Sequence, residues 1–140
     1  MSRAAKETIV KKTPIMYSDF MTNLEKHPAS GDIVRVTNVE SIKQSLKNLL
    51  RINRGDKPFQ PSFGSDVNRH LFDTIDSFTL NYIRQNIEDA INQYEKRIQV
   101  VKVNVTNSEI NTNEVDVSIY FYIINTGESA SLSLILKRVR

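Results

Sequence analysis

The chain has 140 residues, 39% apolar and 25% charged, the balance of an ordinary soluble domain with enough apolar residues for its own core. It contains no cysteine, which excludes disulfide frameworks, thiolate nucleophiles and cysteine-bound zinc. A net charge of +3 favours acidic partners only weakly, and neither a membrane-length apolar run nor a signal-like apolar start occurs, so a soluble intracellular protein without membrane contact is expected.

Residues 1–13 are polar and basic, with Arg3, Lys6, Lys11 and Lys12 and no sustained period, and read as a mobile arm. Residues 14–140 read as one domain. Between 14 and 37, short apolar groups (Ile15 to Tyr17, Phe20, Met21, then Ile33, Val34 and Val36) flank the turn-forming stretch His27-Pro28-Ala29-Ser30-Gly31-Asp32. Extended chain with at most a short hairpin is expected there.

Thr37 and Glu40 have the spacing of a capping box at a helix start. Val39, Ile42, Leu46, Leu49 and Leu50 follow on one face, with Lys43, Lys47, Arg51 and Arg54 as a basic flank and Gly55 as the stop. A short helix begins near Ser65 or Asp66, with Val67, Leu71, Phe72 and Ile75 as its stripe. A longer one follows Thr79, carrying Leu80, Ile83, Ile87, Ala90, Ile91 and Tyr94, and ends between Tyr94 and Arg97.

The period then changes to two. Val101, Val103 and Val105 alternate with polar residues, as do Val115, Val117, Ile119, Phe121 and Ile123; after Asn125-Thr126-Gly127-Glu128, so do Leu132, Leu134 and Leu136. These patterns predict an α+β fold: three helices packed on a three- to four-stranded antiparallel sheet. In a meander running in sequence order the first and third strands each have an unpaired edge unless the N-terminal segment covers one. Such edges are templates for strands from other chains, and Lys137 and Arg138 are placed either to guard the last one or to attract an acidic strand.

The densest punctuation runs from Arg54 to Asp66, where Pro58, Pro61 and Gly64 enforce extended and turn geometry, and Phe59 and Phe63 are expected to pin the loop to the core. Within Ile42 to Phe72, the positions Gly55, Asp56, Pro58, Phe59, Pro61, Phe63, Gly64, Ser65, Leu71 and Phe72 resemble the phage baseplate wedge family of the T-even small wedge subunit and its type VI secretion counterpart. The likeness extends more weakly through Tyr17 to Phe20, Gly31-Asp32 and the strands. That family carries Glu-Pro-Arg at the end of its last helix; here Glu95-Lys96-Arg97 stands in the matching place. Without the proline a longer or looser junction is expected.

The resemblance implies a structural wedge subunit that joins the helical core bundle of the wedge and starts sheath polymerisation by strand addition. Implied partners are the other wedge proteins and the first-ring sheath protein, with tail tube or hub proteins as secondary neighbours. The place of action is the virion tail baseplate, with host cytoplasm during assembly. Glu95 and Arg97 are the residues expected to meet wedge partners, and Leu132, Leu134, Leu136, Lys137 and Arg138 to meet the sheath.

Other chemistries have weaker support. Glycoside hydrolysis, the alternative reading, needs two carboxylates flanking a sugar cleft; Glu88, Asp89 and Glu95 lie on or beside one helix, and the chain has no tryptophan to stack on sugars. His27 and His70 lack close-spaced companion ligands for a metal. No phosphate-cradling glycine loop, nucleophile elbow or aromatic nucleic-acid platform occurs. A non-enzyme without cofactor, metal or nucleic acid is therefore expected.

Overall fold

The computed structural model describes residues 14–138 except 22 and 34. The basic arm expected at 1–13 lies outside the described residues.

Elements follow the chain as β1 (Ser18–Phe20), β2 (Arg35–Thr37), α1 (Asn38–Arg51), α2 (Val67–His70), α3 (Ser77–Tyr94), β3 (Ile98–Asn107), β4 (Glu114–Ile123) and β5 (Ser129–Lys137). Three helices and an antiparallel β3-β4-β5 sheet give the expected α+β fold, and β1-β2 form a separate two-stranded ribbon. The ribbon is the short hairpin anticipated between 14 and 37.

The helical stripes do what their spacing requires. Ile42, Leu46, Leu49 and Leu50 of α1 and Ile83, Ile87, Ala90 and Ile91 of α3 are buried. They pack on the inner sheet face, where Val103, Val115, Val117, Ile119, Phe121, Ile123, Leu132 and Leu136 are buried in the same cluster. Each fully buried aliphatic side chain contributes about 1.5–3 kcal/mol, so this shared face holds the layers together.

Several local expectations are corrected. Thr37 is the N-cap of α1, but its side chain makes no cap bond. Glu40 pairs with Lys43 instead, at 3.2 Å. Asn38, at φ 49°, takes over the helix start: its N–H donates to Tyr17 O at 2.7 Å, and its Oδ1 accepts from Met16 N–H at 2.9 Å. Asparagine tolerates that left-handed geometry better than most residues. At α3 the cap is Asp76, whose carboxylate accepts from Thr79 N–H at 2.7 Å, so the helix starts two residues before Thr79. A β-bulge between Val100 and Lys102 shifts the alternation of β3. Val101 is consequently exposed and Val100 takes the inward position.

The loop between α1 and α2 is a capping device. Ser65 Oγ donates to Leu50 O at 3.1 Å, Asn68 Nδ2 to Arg51 O at 3.2 Å, and Ser65 N–H to Ile52 O at 2.9 Å. Carbonyls that a helix end leaves without partners are thus filled from the loop. Gly64 permits the approach: at φ 122°, an added Cβ would sit 2.6 Å from Ile52 O. Phe63 anchors the other side, edge-on to Tyr94 at 4.9 Å. Phe59 does not anchor: it is fully exposed, with φ 65°, because the turn needs a left-handed residue there. Phe72 is likewise half-exposed rather than core.

Urea denaturation checks this division of labour. Gly64→Ala is expected to lower stability by about 2–4 kcal/mol, through backbone clash and strain. Phe59→Asn is expected to leave it unchanged or raise it by about 1 kcal/mol, since asparagine accepts the left-handed geometry and no packing is lost. A neutral Gly64→Ala would contradict the close approach.

Candidate functional site

Two features of the chain have the geometry of interaction sites: the junction from α3 into β3, and the outer edge of β5.

The junction is tight. α3 ends at Tyr94 and β3 begins at Ile98, so Glu95-Lys96-Arg97 is the whole connection, and the longer or looser junction expected without a proline is not formed. An ion pair does the closing. Arg97 Nε donates to Glu95 Oε1 at 2.6 Å and its Nη2 to Oε2 at 2.7 Å, a two-pronged pair. Ser45 Oγ of α1 donates to Glu95 Oε2 at 2.9 Å. Lys96 Nζ caps the helix end by donating to Asn92 O at 2.7 Å. Arg97 also lies over the Tyr17 ring, 5.4 Å from its centroid, and the Tyr17 hydroxyl accepts from Asn125 Nδ2. The buried carboxylate thus joins the end of α3 to Ser45 of α1 and to Arg97, and through Arg97 and Tyr17 the network reaches the segment before β1 and the β4–β5 turn.

Burial pushes the Glu95 carboxyl up, but the bonds from Arg97 and Ser45 and the Arg97 charge outweigh it and hold the group below its ordinary value. Arg97 is raised by the same pairing. Glu95 is only 6% exposed and Arg97 30%, so the guanidinium is the member of the pair that faces outward.

The second feature follows from hydrogen-bond parity. At one end of the β4–β5 pair Ile123 N–H donates to Glu128 O, and at the other Arg138 N–H donates to Asn113 O. Bonded residues alternate along an antiparallel pair, so with Leu132 opposite Ile119, Ala130, Leu132, Leu134 and Leu136 turn their main chain to β4. Ser129, Ser131, Ser133, Ile135 and Lys137 turn theirs away. Among the described residues no strand lies beside them. The other border of the sheet, on β3, is interrupted by the bulge at Val101, a feature that discourages strand addition.

The sequence-predicted residues fall into three groups. Leu132 and Leu136 are buried and Leu134 half-buried, so these side chains belong to the core and the outward groups of β5 are on the residues between them. Lys137 pairs with Glu114 at 3.0 Å, and Arg138 lies over the Phe72 ring at 5.0 Å. Glu95 and Arg97 come together, at the junction. The alternation in the sequence marks which side chains face the core, but which main-chain groups of β5 face outward follows only from its register with β4.

His70 pairs with Asp73 at 3.2 Å and stacks edge-on with Tyr82. Glu88 pairs with Arg84 at 3.3 Å. Among the described residues no group of three or more His, Cys, Asp or Glu is placed to hold a metal, and no helix is long and apolar enough to cross a membrane.

The fold recurs in baseplate machinery. One chain of a type VI secretion system baseplate complex superposes with a TM-score of 0.63 at 16% identity, over 73% of this chain and 94% of that one. A Geobacter sulfurreducens protein described as a candidate tail lysozyme superposes with a TM-score of 0.67 at 23% identity, over 72% and 91%. These likenesses establish a shared architecture. The sequence is more specific: the family model for baseplate wedge protein gp25 matches residues 36–128. Baseplate wedge protein gp25 of Enterobacteria phage T4 is 36% identical over 90 residues, covering 64% of this chain and 67% of the phage protein. The chain belongs to the baseplate wedge protein gp25 family, as the motif from Gly55 to Phe72 implied.

A pH series checks the junction. Stability drawn from the Glu95 ion pair is fully present above the ordinary carboxyl value of about 4.5 and is lost as pH falls through the lower folded value. Glu95→Gln is therefore expected to be less stable by about 2–3 kcal/mol at pH 7, with the gap closing below about pH 4.5. A gap that stays constant from pH 7 to pH 3 would contradict the assignment.

Proposed function

We propose that the chain is a non-catalytic wedge subunit of a contractile-tail baseplate that seeds the tail sheath by accepting a strand on the outer edge of β5. Its place is the virion tail baseplate, following assembly in the host cytoplasm. Family membership supports the wedge role. The observation that carries the seeding role is the row of outward main-chain groups on Ser129, Ser131, Ser133, Ile135 and Lys137, beside which the described residues supply no strand. Main-chain pairing fixes register and direction, as the first layer of an ordered polymer requires. The strand donor in this reading is the first-ring sheath protein. The Glu95–Arg97 junction keeps α1, α3 and the sheet in one arrangement for the neighbouring wedge proteins and their helical bundle, with Arg97 as the outward contact and tail tube or hub proteins as further neighbours.

The hydrolase reading has less to support it. A glycosidase acid must hold its proton near neutral pH, which requires a raised carboxyl value. Glu95, the buried carboxylate near α3, is shifted the opposite way and is committed to Arg97 and Ser45.

A proline at Ser133 separates edge from core. The Leu134 amide faces β4, so proline there would break the internal ladder, whereas the Ser133 amide faces outward and an edge strand tolerates its loss. Ser133→Pro is expected to fold, to enter baseplates normally, and to leave them without sheath in electron micrographs; Ser133→Thr should support sheath of normal length. Normal sheath on Ser133→Pro baseplates would reject the seeding role.

A further inference from the structure

The open edge of β5 is flanked by a groove, and the charges along that groove specify what kind of strand it accepts. One part, of about 670 Å³, lies between Arg51 and Asn68 on one side and Ile135 and Lys137 on the other. A second part continues it between Lys47 and Arg51 of α1 and the stretch from Ser133 to Ile135. Arg51 and Ile135 line both parts, so the two form one trough along the strand. Moving from Lys47 to Arg51 follows β5 from Ser133 towards Lys137, so helix and strand run side by side.

Lys47 and Arg51 are both exposed. Among the described residues neither has an acidic partner; Lys102 and Arg69 share that state, and what distinguishes Lys47 and Arg51 is their place along the trough. The two are four residues apart on α1, a rise of about 6 Å. Alternate residues of an extended strand are spaced by about 6.7 Å and point to the same side. Asp116 is the one carboxylate lining either part of the trough, which leaves the wall towards α1 positive.

We infer that the strand received at β5 carries carboxylates at two alternate positions on the side turned to α1, where they meet Lys47 and Arg51. This deepens the strand-addition reading and rests on it. Exposed charge pairs add little affinity by themselves, and their main effects are on encounter and on the choice of register. In a polymer seed, register is the property that must not slip, and two cations at strand spacing penalise a shift of one residue, which would turn the carboxylates to the opposite face.

The experiment attaches a probe strand to the full chain after Arg140 through a flexible Gly/Ser linker, which places it at millimolar effective concentration. The probe is a nine-residue peptide of alternating threonine and valine, with two successive valines replaced by glutamate in one version and by lysine in the other. Protection of the Ser131, Ser133 and Ile135 amides against hydrogen exchange is read in 150 mM salt. The glutamate version is expected to protect these amides about three- to tenfold more than the lysine version, and the double substitution Lys47→Glu and Arg51→Glu should reverse the order. Lys26→Glu with Lys102→Glu, which changes net charge equally at other surfaces, should leave it unchanged. Equal protection by both probes, or reversal by the Lys26 and Lys102 pair as well, overturns the charge inference while edge addition stands. Protection by neither probe overturns strand addition itself, and the charge inference with it.

Discussion

The inner face of β3-β4-β5 is apolar along its whole length and is covered by α1 and α3, so the position of those two helices decides which parts of the sheet stay accessible. Their position is fixed at two points along α1. Near its middle, Ser45 bonds the Glu95 carboxylate at the root of α3. At its C-terminus, Ser65 and Asn68 fill the last carbonyls, and Gly64 lets the chain pass close enough to do so. Held in this way, α1 runs beside β5 without covering its outer main-chain groups. Among the described residues the outer edge of β5 is thus left without a neighbouring strand by the way the core is closed, an arrangement that soluble proteins usually suppress.

The helical stripes and the strand alternation were legible in the sequence because burial imposes a period of 3.6 or 2 on the residues it selects. Leu46, Ile87, Val117 and Leu132 could be assigned to the core on that basis, and they are there. What escaped were features set by a neighbour distant in the chain. Thr37 and Glu40 have capping spacing, but Asn38 binds the incoming segment at Tyr17, and that contact takes over the helix start. Val101 fits an inward pattern until the bulge moves it outside. Phe59 looks like an anchor by composition and is wholly exposed, since the loop is held by Phe63 on Tyr94 and by main-chain bonds.

The residues proposed to meet partners illustrate the same limit. A surface charge and a buried one have the same letter, so Glu95 and Arg97 read as a pair without revealing that the carboxylate is enclosed and the guanidinium is not. The leucines of β5 drew attention because they are apolar and periodic, yet periodicity marks the face that meets the helices. The accessible main chain belongs to the serines and Ile135 between them, and finding it requires knowing which β5 residues bond β4. The same holds for Lys47 and Arg51: on a helical projection they are part of a solvated flank, and only the placement of β5 alongside sets them along the trough.

The central claim is that another chain completes the sheet. The most direct measurement is an electron cryomicroscopy density map of the assembled, sheathed baseplate at a resolution that traces the main chain. A foreign strand bonded to the outward groups of Ser131, Ser133 and Ile135 is the predicted result. Density showing that border bare, or occupied by the subunit's own residues 1–13, would contradict the account.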